Sequence, residues 1–209
     1  MPSLTKFWLF TLKDPSQDPS TLTPLLTEIL ELCSSFTNPH YNRTSSPEND
    51  NNAPTHAFYT IANKPSHMLM ITGYPSQELN NEADKAYAEK FLPRLFEHVQ
   101  HIWLRQIEVD IHELPVGGEG VVVSVDEGVG GEEDEPVGER FKEGKGGWDV
   151  WKNTRQGSEG DDVVQGARKG EAVGERVWVH VRGWDGEEEV GGPEFEGRSV
   201  LYSRKLVER

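Results

Sequence analysis

Two histidines three residues apart are the clearest candidates for chemistry in this chain. His98 and His101 lie in the stretch KFLPRLFEHVQHIWLRQIEVDI, residues 90–111. On a helix this spacing places both imidazoles on one side, as a metal site requires, but a zinc site needs at least one further ligand. A histidine near a helix C-terminus is also favoured by the helix dipole. We therefore predict a helix end followed by a strand, with a metal site as the alternative.

The composition limits the classes of partner. The 209 residues hold 36 Asp and Glu against 21 Lys and Arg, which gives a formal net charge of −15 at pH 7. Such a surface repels phosphate backbones and anionic lipid, so we expect neither a nucleic acid nor a membrane as partner. The single cysteine, Cys33, cannot form an internal disulfide, and the N-terminal apolar run is too short for a signal peptide. These features predict a cytoplasmic protein.

The chain changes composition near residue 113. Only Gly73 of the 21 glycines precedes this residue, and residues 113–209 carry 23 Asp and Glu against 13 Lys and Arg. Glycine raises the entropic cost of ordering the backbone, and like charges repel each other. We therefore predict three regions: a domain at residues 1–114, a flexible Gly- and Glu-rich segment at 115–147, and a β-rich second part at 148–209.

The first region alternates between strand-like and helix-like patterns. Runs of apolar and β-branched residues predict four strands, at KFWLFTLK, HAFYTIA, HMLMITG and IWLRQIEVDI. A helix opens at Asp18 or Thr23, each followed by proline, and a second helix begins after Ser76 and breaks at Pro93. The order β-α-β-β-α-β is that of a ferredoxin-like α+β fold with an antiparallel sheet.

Both faces of this predicted sheet are apolar. In the first strand Phe7 and Leu9 alternate with Trp8 and Phe10, and the third strand alternates in the same way. Two helices can cover only one face, and the other face would exceed the apolar patch of a few hundred Å² that a monomer normally exposes. A further apolar layer must therefore cover it.

The third strand with its following turn, HMLMITGYPSQE, and the later HIWLRQIEVDI resemble the dimeric α/β barrel superfamily, particularly its antibiotic-biosynthesis-monooxygenase-like branch. The resemblance covers about residues 4–114, and it implies that two such sheets pack face to face. WVHVRGWDGEE (178–188) aligns without gaps on MLMITGYPSQE (68–78), at an offset of 110 residues. The barrel is therefore expected to be completed by a degenerate second half, as an intramolecular pseudo-dimer, or by a homodimer.

The resemblance also implies a function. It points to a small-molecule-binding barrel that oxygenates an aromatic or polyketide-like substrate without a cofactor. Relatives that degrade haem carry a histidine on the second helix, whereas residues 77–91 contain none. The pocket that this chemistry needs is apolar with a few polar groups, and catalytic residues are not identified. The side chains expected to line it are Trp8, Tyr59, His67, Met70 and Tyr74.

A non-catalytic protein is the alternative. In that case side chains fill the cavity, and the acidic second half serves as a binding or interaction module. The same fold can host either function, so the pattern of strands and helices cannot choose between them. A cavity above about 300 Å³ with buried polar groups would favour the enzyme.

Overall fold

A computed structural model describes residues 2–37, 56–127, 143–151, 177–186 and 198–208. The described helices and strands follow one another along the chain as β1 (Leu4–Leu12), α1 (Thr23–Ser35), β2 (His56–Ile61), β3 (His67–Tyr74), α2 (Gln77–Lys90), α3 (Leu92–Leu95), β4 (Val99–Ile107), β5 (Gly120–Glu127), β6 (Lys145–Trp148), β7 (Val177–Trp184) and β8 (Arg198–Glu208). Short 3-10 turns precede α1 and follow β4. Within these ranges, none of the helices has the length and hydrophobicity needed to span a bilayer.

The helix boundaries follow the predicted capping signals. Asp18 caps the 3-10 turn with its carboxylate, as predicted for one of the two openings. α1 begins at Thr23 with proline in its first turn, but its N-cap is Leu22 and no side chain caps it, so the predicted cap at Thr23 is not formed. Ser76 accepts a hydrogen bond from the backbone N–H three residues later and starts α2. Pro93 cannot continue that helix, and the chain restarts as α3.

All eight described strands form one antiparallel sheet in the order β4-β1-β3-β2-β8-β5-β7-β6. The second four strands repeat the spatial order of the first four. β7 begins and ends 110 residues after β3, as the alignment predicted. The register also repeats, because Trp8 faces Met70 across β1 and β3 while Ser124 faces His180 across β5 and β7. The internal repeat is therefore present in both strand order and register.

The second half covers the open face of the first. The inner face, which we define as the face turned away from α1 and α2, buries one continuous apolar cluster from both halves. Its members include Phe7, Leu9, Leu69 and Ile71 from the first half and Val121, Val123, Val179, Val181 and Leu201 from the second. Trp8, Phe10 and Met70 point to the opposite, helix face and pack under the helices. The predicted alternation and the α/β barrel are both confirmed.

The barrel closes at two junctions that are related by the repeat. At one, residues 57–61 of β2 pair with residues 203–208 of β8. At the other, Ile107 forms a single bridge with Asp149, and the Val150 amide donates to the Gln106 carbonyl at 2.7 Å. The first junction thus has a ladder, and the second has one bridge with added side-chain bonds. Closure occurs within a single chain.

One predicted region differs from the structure. Residues 115–147 were expected to form one flexible segment, but β5 lies inside this range between two neighbouring strands. Val121, Val123 and Val125 alternate inward there and pack in the inner-face cluster. Glycine and glutamate dominate the average composition around β5, so a prediction based on composition does not detect this short run of β-branched residues. Residues 128–142 of the predicted segment lie outside the described residues.

Candidate functional site

The helix face carries a buried layer of polar side chains at one end of the first four strands. Gln106, Lys6, Thr72 and His56 come from β4, β1, β3 and β2, and they are cross-strand neighbours. Each is at most 7% exposed. Cross-strand partners point to the same side of a sheet, so the four side chains form one row. α2 covers this row with Asn80 and Asp84, and we call these six residues the polar layer.

An ion pair with aromatic surroundings lies at the centre of the polar layer. The Lys6 ammonium forms a salt bridge with Asp84, and both side chains are largely withdrawn from water. The Lys6 Nζ also lies 5.9 Å from the ring centre of Tyr74 and 5.6 Å from that of Trp151. These distances are within the range of cation–π attraction. Trp151 belongs to the second half, so both halves contribute to this environment.

Three polar groups in and beside the layer are buried and lack a hydrogen-bond partner in the described part of the chain. They are the side-chain amide of Asn80, the Oε1 atom of Gln106 and the hydroxyl of Tyr87. The Nε2 atom of Gln106 does donate to Gln77 Oε1 at 2.8 Å. Asn80, Asp84 and Tyr87 follow one another at spacings of four and three along α2, so they share one helix face. Groups of this kind are rare in native proteins, and a bound molecule would satisfy them.

Burial keeps most titratable groups around the layer uncharged. It lowers the pKa of His56 to about 3, raises the pKa of Cys33 to about 12 and raises the pKa of Tyr74 well above its usual value. At neutral pH these groups are an imidazole, a thiol and a phenol. The formal charges of the polar layer are therefore those of the Lys6–Asp84 pair.

The five residues predicted to line a pocket do not lie on one face of the sheet. Trp8 and Met70 pack in the apolar core of the helix face, and Tyr74 borders the polar layer. Tyr59 points into the barrel, where its hydroxyl donates to the Val116 carbonyl at 3.3 Å. His67 is half-buried at the start of β3. Of the five, Tyr74 is the residue whose ring lies against Lys6 of the polar layer.

The two histidines of the opening motif do not share a helix face, because β4 already begins at Val99. His98 lies in the turn after α3, with its amide bonded to the Leu95 carbonyl at 3.0 Å. His101 lies in β4, and its Nδ1 accepts a hydrogen bond from Trp8 Nε1 at 2.8 Å. The predicted helix end thus holds for His98 and not for His101. In the described part of the chain, no three His, Cys, Asp or Glu side chains group as metal ligands.

The inner face is lined by apolar side chains. Nineteen buried residues of the described part of the chain form one cluster there. The buried pair of Arg105 and Asp149, 3.3 Å apart, lies at the junction of β4 and β6. An open depression of about 550 Å³ lies at the barrel end and is lined by Glu113, Lys145 and Arg182 among others. Its Glu113–Lys145 pair is half-exposed and therefore weak.

The sequence patterns did not predict most residues of the polar layer as part of a site. Lys6 offered the one usable signal, because it is in phase with Trp8 and Phe10 on an apolar strand and must therefore be buried with them. A charged residue in the buried phase of a strand needs a partner. Asn80 and Asp84 gave no such signal, since they lie on a helix with polar residues on several sides.

Among known proteins, similarity to this chain is found in solved structures and not in family models or curated sequences. No protein-family model and no curated protein matches the sequence. Three similar solved structures are a provisionally named chlorite dismutase, a provisionally named monooxygenase from Fusobacterium nucleatum and an anthrone oxidase-like protein. Their sequence identities are 8%, 9% and 12%, and their TM-scores are 0.44, 0.46 and 0.46. The matches cover 99%, 99% and 100% of this chain and 96%, 94% and 93% of the others. The strand order and register, rather than these scores, establish the barrel fold.

Proposed function

We infer that the protein binds a small aromatic molecule with a hydroxyl or carbonyl group in the polar layer. The observation that carries this proposal is the side-chain amide of Asn80, which is fully buried and has no hydrogen-bond partner. A phenolic oxygen can both accept from the amide nitrogen and donate to the amide oxygen. The rings of Tyr74 and Trp151 lie 5.9 Å and 5.6 Å from the Lys6 Nζ of the same layer and would supply apolar walls for the ligand.

The Lys6–Asp84 pair gives this site a possible reaction. Asp84 can accept the proton of a bound phenol, and the Lys6 ammonium then stabilises the resulting oxyanion. The Lys6 side chain is only 9% exposed, and shielding from water strengthens such stabilisation. Ionisation of an activated aromatic is the first step in the cofactor-free oxygenation that the family resemblance implies. The proposed activity is therefore monooxygenase-like.

Calorimetric titration with phenol and 2-naphthol tests this proposal on the full chain. We expect at least one of these probes to bind the wild type and to lose affinity at least about tenfold in Asn80→Leu, because one or more hydrogen bonds are removed. Asn81→Leu makes the same chemical change on the exposed side of α2, where it removes one exposed hydrogen bond from Gln77, and should change affinity less than about twofold. Equal losses in both variants would contradict the proposal.

We propose as a second candidate function a non-catalytic protein that acts as a binding or interaction module through its acidic second half. The cluster of buried apolar side chains on the inner face supports this candidate, because it is typical of a packed barrel interior. This candidate predicts that neither phenol nor 2-naphthol binds the wild type. The same titration therefore separates the two functions.

A further inference from the structure

The two junctions of the barrel are built from equivalent turns, one from each half. After β2, the Ala62 amide donates to the Tyr202 carbonyl on β8 at 2.7 Å. After β6, the Val150 amide donates to the Gln106 carbonyl on β4 at 2.7 Å. The strand registers relate β2 to β6 and β4 to β8 in the same way. Each half therefore places the turn after its second strand against the fourth strand of the other half.

The residue that follows this amide differs between the two turns. In the first half it is Asn63, whose side chain donates to the Val200 carbonyl at 3.0 Å and accepts from the Tyr202 amide at 3.4 Å. In the second half it is Trp151, which is 2% exposed. The turn after β2 thus closes its junction with a short polar side chain. Closure by itself does not require an indole at this position.

The indole of Trp151 reaches the polar layer of the first half. Its ring centre lies 5.6 Å from the Lys6 Nζ, within the range of cation–π attraction. Asp149 fixes the turn that carries the indole, because its Oδ1 accepts from the Trp151 and Gln106 amides, each at 3.0 Å. Gln106 belongs to the polar layer and is the cross-strand partner of Lys6. The turn of the second half is therefore bonded directly to the strand that carries part of the layer.

The counterpart of the polar layer in the second half is apolar. The registers show three replacements by members of one buried apolar cluster: Lys6 by Val122, Tyr74 by Trp184 and Gln106 by Tyr202. The two halves have therefore diverged at equivalent positions. Among the described residues, an indole from the turn and a buried ammonium come together at the β4–β6 junction and not at its counterpart.

We propose that Trp151 is a positioning residue through which the second half completes the ligand site of the first. Its indole holds the Lys6 ammonium toward the oxygen of the bound phenol. When the phenol O–H bond breaks, the proton passes to the Asp84 carboxylate and the phenolate oxygen faces the held ammonium. This inference rests on the function proposed for the polar layer, and it adds the residue on which ionisation of the ligand depends.

Absorbance spectroscopy with 4-nitrophenol tests this role on the full chain, because the phenol and phenolate forms absorb at different wavelengths. At saturating ligand and pH 7, the ratio of phenolate to phenol in the bound ligand reports how well the oxyanion is stabilised. We expect Trp151→Leu to lower this ratio about tenfold, because leucine keeps an apolar wall and loses the attraction of a ring face. Trp151→Phe keeps a ring with a weaker attraction and should lower the ratio about threefold.

Trp148→Leu and Trp148→Phe are the matched controls. Trp148 lies three residues earlier in the same segment and packs edge-on against Trp178, with ring centres 5.1 Å apart. Both controls should leave the ratio within about twofold of the wild type. Circular dichroism shows which variants fold. The two phenylalanine variants decide the test if Trp151→Leu does not fold.

The outcomes separate this inference from the proposed function. An unchanged ratio in a folded Trp151 variant, or an equal fall in the Trp148 variant, overturns the role of Trp151 and leaves the proposed function standing. A lower affinity with an unchanged ratio means that the indole is a wall of the site alone, which also overturns the positioning role. Absent binding of 4-nitrophenol to the wild type overturns the inference, and absent binding of phenol and 2-naphthol overturns the proposed function.

Discussion

At the scale of single residues, Asn80 has the environment that a structural role explains least. Both polar atoms of its amide are buried and have no hydrogen-bond partner among the residues that the structure describes. Leucine has a similar size and carries no polar atoms, so Asn80→Leu should raise the free energy of unfolding by about 1–3 kcal/mol. Urea denaturation measures this change. Asn81→Leu, on the exposed side, should stay within about 0.5 kcal/mol, and a destabilised Asn80→Leu would show that the amide is satisfied.

His56 gives the protein a pH-dependent stability. Its pKa is 6.5 when exposed and about 3 in the folded state, because burial disfavours the charged imidazolium. The unfolded chain therefore binds an extra proton between these values, and stability present above pH 6.5 is lost as the pH falls toward 3. On going from pH 7 to pH 4.5, the free energy of unfolding of the wild type should fall by about 2–3 kcal/mol more than that of His56→Phe. Urea midpoints at both pH values test this, and parallel losses would contradict it.

At the scale of elements, the two barrel junctions differ in how they are held. The β4–β6 junction has one bridge, and Asp149 supplements it by accepting hydrogen bonds from Arg105, the Gln106 amide and the Trp151 amide. The side chains of Arg105 and Asp149 are 5% and 3% exposed. This carboxylate therefore replaces part of the ladder that β2 and β8 form at the other junction.

Asp149→Asn should destabilise the protein by about 3–5 kcal/mol. The substitution removes the carboxylate charge that lies 3.3 Å from the buried Arg105 guanidinium, and removing one member of a buried ion pair costs more than the pair contributes. Urea denaturation measures the effect. Glu113→Gln removes one partner of a half-exposed pair with Lys145 and should cost about 1 kcal/mol or less. Similar costs for the two variants would mean that the junction does not depend on Asp149.

At the scale of the whole molecule, the second half acts as the cover for the first. Truncation after Leu114 exposes Phe7, Leu9, Leu69 and Ile71 on the inner face. We expect the fragment to aggregate or to pair with a second copy, because an apolar face of this size is not stable in water. Light scattering of the fragment beside the full chain measures this. A soluble monomeric fragment would contradict the role of the second half.

The sequence predicted the first half better than the second. The caps at Asp18 and Ser76, the break at Pro93 and the face alternation of β1 are local signals, and the structure contains all of them. β5 was missed because glycine and acidic residues dilute its short valine run. His101 was placed near a helix end because periodicity does not fix where a strand begins.

The sequence by itself determined the order of the first six elements, the apolar character of both sheet faces and the 110-residue offset between β3 and β7. These features depend on residues close together in the chain or on direct comparison of two segments. Only the tertiary structure decided that the second half closes the barrel, and that Lys6, His56, Asn80 and Asp84 meet in one layer. Such contacts depend on long-range strand register and helix placement, which no local pattern encodes.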